Sequence, residues 1–351
     1  MNALFLFAFA TIALILSVFF FPILIKLLHR WEVLDHPRDH KIHSAYTPSM
    51  GGICILLAVA FTLLIALPFS EWVRHKFFFI AFAIIFFTGL RDDILNLTPW
   101  QKLLGQILPI ALVVVLGGMK ISSFYGLHAA PLSDPWSWVI TIFVIVALTN
   151  SYNLIDGIDG LAGVVSALVF FVLGAWFWAV GNFTFATLSF IFFGSILGFL
   201  YYNWQPSKIF MGDTGTLPIG FALSVLLVAF LESNQALDHT NLFRVRASVG
   251  AALSVMVIPI FDTIRVVILR LLNGQSPFKA DRNHLHHQLL RIGFSHAQAA
   301  LALGAVNAAF IALAWFGRNW SDPLLLAVVI AGCFGLSFIL YQVEKRNARK
   351  N

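Results

Sequence analysis

Two adjacent carboxylates, Asp92 and Asp93, directly follow an apolar run that ends near Leu90. Ionisable residues beside membrane-buried segments are costly and mark functional sites by default. Adjacent like charges repel, and they are best tolerated where a cation such as Mg²⁺ lies between them and a phosphate. The pair therefore indicates metal-assisted phosphate chemistry, although a solvated turn that closes a membrane hairpin would also explain it.

A second acidic motif runs from Asn150 to Gly160 and reads NSYNLIDGIDG. On a helical turn, Asp156 and Asp159 would point to similar sides, close to the amide of Asn153. The motif precedes an apolar segment, and the amino terminus of a helix offers free N–H groups to an anion. A glycine-rich packing face with two capping acids is the alternative, but it leaves the paired carboxylates unexplained.

Asp213 lies between two glycines in the run FMGDTGT, at the start of another apolar segment. Asn203, ten residues earlier, is a neutral amide that suits a nucleotide or a sugar, as Asn153 does. Phe210 offers a ring face for stacking on a base, although in a chain with 36 phenylalanines such a residue usually belongs to the core. This stretch therefore has the same character as the second acidic motif.

The longest polar loop contains three histidines, His284, His286 and His287. Zinc is not indicated, because on a helix His284 and His287 share a face while His286 points elsewhere, and no cysteine or nearby glutamate completes a tetrahedral set. With Lys279 and Arg282 beside them, these rings suit a diphosphate better. A basic amphipathic helix on the membrane surface is the alternative, and the two interpretations are compatible.

The first polar loop carries Lys41 and His43, whose side chains could contact phosphate. It ends at Gly51 and Gly52, which allow a close approach of the backbone where the second predicted span begins. A basic loop that meets anionic lipid head groups would have the same composition.

These motifs are separated by long apolar runs. The chain of 351 residues is 60% hydrophobic and 11% charged, whereas a soluble domain carries about 25% charged residues. Runs of roughly 17–25 apolar residues are long enough to cross a hydrocarbon core. The pattern predicts an all-α polytopic membrane protein with one domain over 1–351 and a basic tail at 342–351. The eleven predicted spans are 3–27, 51–68, 77–90, 102–118, 136–152, 161–180, 184–202, 217–231, 248–269, 297–316 and 323–341.

Eleven spans place the two termini on opposite faces of the membrane. Of the 22 lysines and arginines, 16 then fall on one face and 6 on the other. The positive-inside rule makes the richer face cytoplasmic, with the C-terminus on it and the N-terminus outside. The net charge of +6 is therefore explained by topology and does not indicate nucleic-acid binding. The acidic motifs and the histidines share the cytoplasmic face, in the loops 29–50, 91–101, 150–160, 203–216 and 270–296.

At these motifs the chain resembles the polyprenyl-phosphate N-acetylhexosamine-1-phosphate transferases, a glycosyltransferase 4 family that includes the bacterial WecA, TagO and MraY enzymes. The resemblance covers most of the chain and rests on short motifs in a common order. Leu285 interrupts the run of three histidines that MraY-type enzymes carry, so the pattern is closer to the WecA type. The matching motifs are Asp92-Asp93, Asn153-x-x-Asp-Gly-x-Asp-Gly160, Asn203, Phe-Met-Gly-Asp213 and the three histidines.

The resemblance implies Mg²⁺-dependent transfer of N-acetylglucosamine 1-phosphate from UDP-N-acetylglucosamine to undecaprenyl phosphate, with UMP as the other product. Mn²⁺ could replace Mg²⁺, and another UDP-N-acetylhexosamine or a deoxysugar could be the donor. A homodimer is compatible with it. The implied setting is the bacterial inner membrane, with a cytoplasmic active site that starts a cell-envelope polysaccharide of the O-antigen, enterobacterial common antigen or teichoic acid type.

The resemblance also implies roles for individual residues. Asp213, with Asp92 and Asp156, would bind the metal, and Asp92 or Asp93 would lie near the lipid phosphate, where one of them could deprotonate it. The implied catalytic residues are Asp92, Asp93, Asp156 and Asp159. The implied substrate-binding residues are Lys41, Asn153, Asn203, Phe210, Asp262, Arg265, Arg282, His284, His286 and His287.

Two alternatives remain open at this point. Direct attack by the lipid phosphate is favoured because the nucleophile is already anionic, but a two-step route through a phospho-aspartate is not excluded. An ion-coupled transporter is the alternative from another class of protein. Transport sites tend to lie near the bilayer midplane, whereas the acids here cluster at span ends on one face.

Overall fold

The computed structural model describes residues 2–32, 47–128, 130–276 and 283–348, which form α-helices and contain no strand. This confirms the all-helical fold class. The helices are α1 Ala3–Arg30, α2 Gly52–Ala66, α3 Phe69–Arg74, α4 Lys76–Leu95, α5 Pro99–Ala111 with a π-helical end at Leu112–Leu116, α6 Asp134–Leu154, α7 Leu161–Ala179, α8 Phe183–Asn203, α9 Asp213–Ala236, α10 Ser248–Val255, α11 Val257–Leu272, α12 Leu285–Arg291, α13 His296–Phe316 and α14 Asp322–Ala348.

Within these ranges, eight helices are long and apolar enough to cross a membrane, and the bent pair α10–α11 would make a ninth. Each of the eleven predicted spans falls on a helix or on that pair. Helix α2, however, has only 15 residues, and α4 carries three charged residues, Arg91, Asp92 and Asp93, shortly before its end at Leu95. The protein is therefore a multi-pass membrane protein, while the number eleven and the sides of the two termini stay predictions.

Helix α9 lies at the centre of the molecule. All residues of its most apolar stretch are buried, and it packs most extensively against α4 and α6. Glycines bring its neighbours close, since a Cβ on Gly52 would lie 2.2 Å from the nitrogen of Gly215, and one on Gly89 would lie 2.2 Å from the carbonyl oxygen of Asp213. Small residues allow membrane helices to approach this closely, so these glycines determine where α9 begins relative to α2 and α4.

Replacing Gly52 by alanine should destabilise the protein by about 1–3 kcal/mol, because the new methyl group would meet backbone atoms that cannot rotate away. Thermal unfolding in detergent micelles measures the effect. Gly335→Ala in α14 is the matched control, because nothing lies within 4 Å of a Cβ at that position. A G52A variant that unfolds at the wild-type temperature would contradict this packing.

Helices α10 and α11 meet at an 85° bend. In a membrane, the backbone groups that such a break leaves without partners must be satisfied by a neighbouring helix. Asn307 of α13 does this, since its side-chain N–H donates to the carbonyl of Val255 at 2.9 Å and its oxygen accepts the N–H of Ile258 at 3.3 Å. The bend is therefore a hydrogen-bonded feature of the fold.

Two helices near the predicted functional loops begin with a capping box, in which side chain and backbone satisfy each other's N–H groups. Thr98 and Gln101 form the capping box of α5, and Ser295 and Gln298 form that of α13. These boxes define the first turn of each helix and therefore the positions of the side chains that this turn carries.

Candidate active site

The start of α9 is capped by a residue of another helix. Gly212, which precedes α9, has no side chain to offer and adopts a φ of +69°. Asp93 of α4 instead accepts hydrogen bonds from the N–H groups of Asp213 and Thr214, each at 2.8 Å, and from the Thr214 hydroxyl. Asp93 therefore holds the amino terminus of α9 against the end of α4.

Asp93 lies beyond the apolar part of α4, in a poorly hydrated environment. Burial and then the nearby Asp213 carboxylate raise the pKa of Asp93 to about 6, although its hydrogen bonds to Thr214 and Asp213 act in the opposite direction. A carboxyl group with a raised pKa next to a second acid is a common feature of functional sites.

Lys102 of α5 lies between two carboxylates. Its Nζ is 2.6 Å from Oδ1 of Asp213 and 3.0 Å from Oδ2 of Asp92. Asp92 is 8% exposed, and its other oxygen accepts the N–H of Leu97 at 2.7 Å. One ammonium group thus neutralises acids from two helices at a partly buried position, where charges interact more strongly than in bulk water.

Asn153, near the end of α6, joins these residues. Its side-chain N–H groups donate to Asp213 and, at 2.6 Å, to the hydroxyl of Thr216. Its oxygen accepts a hydrogen bond from Lys102 at 3.4 Å. Helices α4, α5, α6 and α9 therefore build one charged cluster. The members of the charged cluster are Asp92, Asp93, Lys102, Asn153 and Asp213.

The segment before α2 is hydrogen-bonded to the segment before α9. Phe210 donates its N–H to the carbonyl of Pro48, and Gly51 donates to the carbonyl of Phe210, both at 2.9 Å. Gly52 donates to the carbonyl of Met211 at 3.0 Å. The close approach predicted for these glycines is therefore made to the backbone that leads into the charged cluster.

Residues 150–154 of the second acidic motif belong to α6, and residues 155–160 connect α6 to α7 through turns outside any helix, so the helical turn predicted for Asp156 and Asp159 is not formed. Gly160 adopts a φ of +80°, which is incompatible with a right-handed helix at that residue. Its N–H donates to the side chain of Asn203 at 2.8 Å, and Asn203 donates to the carbonyl of Ile209 at 2.8 Å. Asn203 is 3% exposed and joins two loops through their backbones.

The two acids of this motif differ in burial. Asp159 is 2% exposed, and its Oδ2 lies 3.4 Å from Nδ1 of His296 and 3.4 Å from the N–H of Ser207. Asp156 is half-buried, as is Phe210 in the segment before α9. The less buried side chains are therefore the ones that a substrate could reach without a change in the loops.

A second group of predicted residues lies where α11 faces α12. Asp262, 1% exposed, accepts the N–H of Leu285 at 2.9 Å and lies 3.0 Å from Nδ1 of His284. Arg265 lies 3.3 Å from Asp262 and donates to the carbonyl of Asn283. Asp262 thus determines where α12 begins. The histidine cluster, as we call it, consists of Asp262, Arg265, His284, His286 and His287.

His284 precedes α12, so the prediction that it shares a helix face with His287 is wrong. Its ring is nearly parallel to that of His286, at a centroid distance of 5.5 Å and an angle of 12°. Burial, and then the neighbouring ring of His287, lower the pKa of His286 to about 3, so His286 is neutral near pH 7. A Cβ on Gly157 would lie 2.3 Å from Nε2 of His286, so the histidine cluster touches the loop of Asp156.

The described site residues are therefore joined by direct contacts, from the charged cluster through the loops 155–160 and 204–212 to the histidine cluster. Lys41 and Arg282 lie outside the described residues. Nothing in the geometry tests which of these side chains contact a substrate, so their roles stay predictions.

Comparison with known proteins identifies the family of this chain. Residues 76–231 match the glycosyl transferase family 4 model. Over 292 residues the chain is 32% identical to the "probable undecaprenyl-phosphate N-acetylglucosaminyl 1-phosphate transferase" of Bacillus subtilis (strain 168), covering 82% of this chain and 78% of that protein. The chain belongs to glycosyl transferase family 4.

Other relatives of this family 4 transferase are also similar over most of the chain. The "decaprenyl-phosphate N-acetylglucosaminephosphotransferase" of Mycobacterium leprae is 31% identical over 336 residues, covering 87% of this chain and 83% of that protein. The "undecaprenyl-phosphate alpha-N-acetylglucosaminyl 1-phosphate transferase" of Escherichia coli (strain K12) is 29% identical over 342 residues, covering 93% and 89%. The protein is an enzyme of the phosphotransferase type, which confirms the resemblance seen in the motifs.

Sequence reasoning missed Lys102 as a site residue of this family 4 transferase. A lysine in the first turn of an apolar helix is expected from the positive-inside rule alone. The available signal was the length of the connection, since only residues 96–98 separate α4 from α5. So short a connection keeps the last turn of α4, with Asp92, beside the first turn of α5.

The charged cluster of the family 4 transferase fits one kind of metal site. Among the described residues, no three His, Cys, Asp or Glu side chains are arranged as metal ligands. Asp92 and Asp213 nevertheless converge on one cation, the ammonium of Lys102. Mg²⁺ is usually bound by one or two carboxylates together with substrate phosphates. The donor set therefore suits a magnesium ion that binds with a diphosphate.

Proposed function

We propose that the protein transfers N-acetylglucosamine 1-phosphate from UDP-N-acetylglucosamine to undecaprenyl phosphate and releases UMP. The names of the relatives support the polyprenyl phosphate acceptor and the transferred group. The observation that carries the proposal is the charged cluster, in which Lys102 lies between Asp92 and Asp213 beside Asn153. Such a combination of cation and carboxylates suits a diphosphate donor that binds with a divalent metal.

In the proposed reaction, an oxygen of the lipid phosphate attacks the phosphorus that carries the sugar. A new P–O–P bond forms between the lipid phosphate and the sugar phosphate. The bond from that phosphorus to the oxygen bridging the two nucleotide phosphates breaks, and UMP leaves with this oxygen and the bonding electrons. Because the nucleophile is already anionic, positioning and charge neutralisation supply most of the catalysis.

In this proposal Asp213 and Asp92 hold Mg²⁺, with Asp156 close to it, and Mn²⁺ can replace it. When bound, the ion neutralises part of the diphosphate charge. Lys102 stabilises negative charge on the transferred phosphoryl group, and Asn153 orients the Asp213 carboxylate.

The histidine cluster would contact the diphosphate or the sugar. Nδ1 of the buried His286 has no hydrogen-bond partner among the described residues, and a neutral imidazole nitrogen can donate or accept. A buried polar atom without a partner is costly unless a ligand satisfies it. This supports a role for His286 in substrate binding.

We favour direct transfer over a phospho-aspartate intermediate. Both oxygens of Asp93 accept hydrogen bonds from the start of α9. The two oxygens of Asp92 are bound to the N–H of Leu97 and to Lys102. An aspartate nucleophile would have to break such contacts before attacking, whereas direct attack by the lipid phosphate leaves them intact.

The proposal places this site on the cytoplasmic face of a bacterial inner membrane, because 16 of the 22 lysines and arginines are nearest to that face under the eleven-span topology. The product would be the first lipid-linked sugar of a cell-envelope polysaccharide.

The test is an assay on the purified protein in nanodiscs with UDP-N-acetylglucosamine and undecaprenyl phosphate. We expect UMP release and a lipid product heavier by one N-acetylglucosamine phosphate in the mass spectrum. Offering a mixture of UDP-sugars to the same preparation identifies the preferred donor. Solute uptake into proteoliposomes without UMP release would contradict the proposal and favour a transporter.

Removing divalent metal should abolish UMP release. EDTA would strip the ion that neutralises the diphosphate, and added Mg²⁺ or Mn²⁺ should restore the rate. The measurement is the initial rate before EDTA, in EDTA and after an excess of metal. A rate that is unchanged in excess EDTA would contradict the metal-dependent part of the proposal.

A further inference from the structure

The start of α13 contacts both loops that lead into the charged cluster. His296, the first residue of α13, contacts Asp159 in the loop 155–160. The next residue, Ala297, donates its N–H to the side chain of Gln205 at 2.9 Å, in the loop 204–212. Helix α13 lies beyond the segment 76–231 that matches the family model. A part of the chain outside that segment thus contacts two of its loops.

The contact between His296 and Asp159 is made in a buried environment. His296 is 7% exposed and Asp159 is 2% exposed. Nδ1 of His296 lies 3.4 Å from Oδ2 of Asp159 and accepts the N–H of the same residue at 3.3 Å. A buried carboxylate is costly without polar partners, so its position depends strongly on the partners that it has. One ring nitrogen therefore faces both the side chain and the backbone of Asp159.

The position of Asp159 is transmitted to the residues around it. The next residue, Gly160, donates its N–H to Asn203, and a Cβ on Gly160 would lie 3.3 Å from the Trp204 ring. The loop 155–160 begins two residues after Asn153, which contacts Asp213. A shift of Asp159 would therefore move a loop that is connected to the charged cluster on one side and to the segment of Phe210 on the other.

We infer that His296 is a positioning residue for the part of the site around Asn203 and Phe210, the side chains suited to a nucleotide, and that it acts through Nδ1 on Asp159. This inference rests on the proposed function. His296 need not touch the donor itself. Loss of the Nδ1 contact should loosen the loop 155–160 and weaken donor binding, while the lipid phosphate, which would meet the site at Asp92 and Asp93, is affected less.

Two amide substitutions of similar polarity test the inference. In His296→Asn the side-chain amide takes the place of Nδ1 and can both donate and accept, whereas in His296→Gln it takes the place of Nε2. We expect H296Q to raise the KM for UDP-N-acetylglucosamine up to about tenfold, the upper end of the effect of losing one hydrogen bond, here the one that Nδ1 accepts from the N–H of Asp159. We expect H296N to stay within about threefold of wild type, with the KM for undecaprenyl phosphate and kcat nearly unchanged in both.

A second measurement does not depend on activity. Hydrogen exchange of peptides covering 155–160 should be faster in H296Q than in H296N and wild type, because the loop has lost its contact to α13. His75 offers a matched control, since it also contacts a carboxylate, that of Glu71 at 3.5 Å. It precedes α4 and lies about 25 Å along that helix from the charged cluster. H75N and H75Q should both leave the KM and the exchange of 155–160 unchanged.

The outcomes separate the two proposals. Equal KM values and equal exchange in H296N and H296Q would overturn the positioning role, because ring position would then not matter. A wild-type protein that releases no UMP would contradict the proposed function, and the exchange comparison would still decide the role of His296.

Discussion

Replacing Lys102 by methionine should lower turnover about a hundredfold or more, in the range found when one charge-stabilising donor is removed from an active site. The ammonium group lies 2.6 Å from Asp213 and 3.0 Å from Asp92. Without it, two poorly hydrated carboxylates would repel each other and the diphosphate donor. The measurement is UMP release at saturating substrates, together with thermal unfolding to confirm that the variant is folded.

Two further variants distinguish a chemical effect from loss of fold. Lys102→Arg keeps the positive charge and should restore stability, but its planar group cannot occupy the same point between the carboxylates, so turnover should recover only in part. Lys120→Met removes another lysine paired with an aspartate, Asp134, at a more exposed position away from the site. K120M should keep wild-type turnover. A folded K102M protein with wild-type turnover would rule out Lys102 as a catalytic residue.

Asp93→Asn should also lower turnover by about a hundredfold while the protein stays folded and still binds the UDP-sugar. Asparagine keeps one of the two oxygens that accept hydrogen bonds from the start of α9, so this cap should be weakened but not lost, and the protein should still fold. What the substitution removes is a negative charge and a proton acceptor beside Asp213. Turnover, UDP-sugar binding and thermal unfolding, measured on the same preparation, check the three parts of this prediction.

The control for Asp93 is another aspartate that caps a helix from a distance. Asp322 of α14 accepts the N–H of Gly250 in α10 at 2.8 Å. Asp322→Asn should leave turnover unchanged, because it alters a cap without touching the charged cluster. Asp93→Ala, which loses the cap as well, should be about 1 kcal/mol less stable than D93N. Wild-type turnover in D93N would leave Asp93 with a structural role only.

The acids of the site could be found from the sequence because a charge at the end of an apolar run is itself a signal. Asp92, Asp93, Asp156 and Asp213 all stand out in this way, and short connections limit where the ends of neighbouring helices can lie. The cap that Asp93 provides for α9 could not be foreseen. It joins residues 120 positions apart in the chain. It also requires α4 and α9 to pack so that the end of α4 lies beside the start of α9.

The helix assumed in the sequence analysis does not extend to the predicted residues at two places, and the reason is the same at both. Asp156 and Asp159 lie in a connection ended by Gly160, and His284 precedes α12, held there by its contact with Asp262. In both cases a backbone N–H of the segment donates to a distant side chain, that of Gly160 to Asn203 and that of Leu285 to Asp262. Local periodicity contains no information about such partners.

The sequence by itself determined that this is a helical membrane enzyme, where its apolar segments lie, and which acids and histidines stand at their ends. These follow from the cost of placing charge in lipid and from motifs that are local in the chain. Only the tertiary structure decided that Lys102 neutralises Asp92 and Asp213, that Asp93 caps α9, and that His296 contacts Asp159. Such pairings depend on how far the helices are shifted along their axes relative to one another. Close contacts between helices, such as that of Gly52 with Gly215, determine this shift.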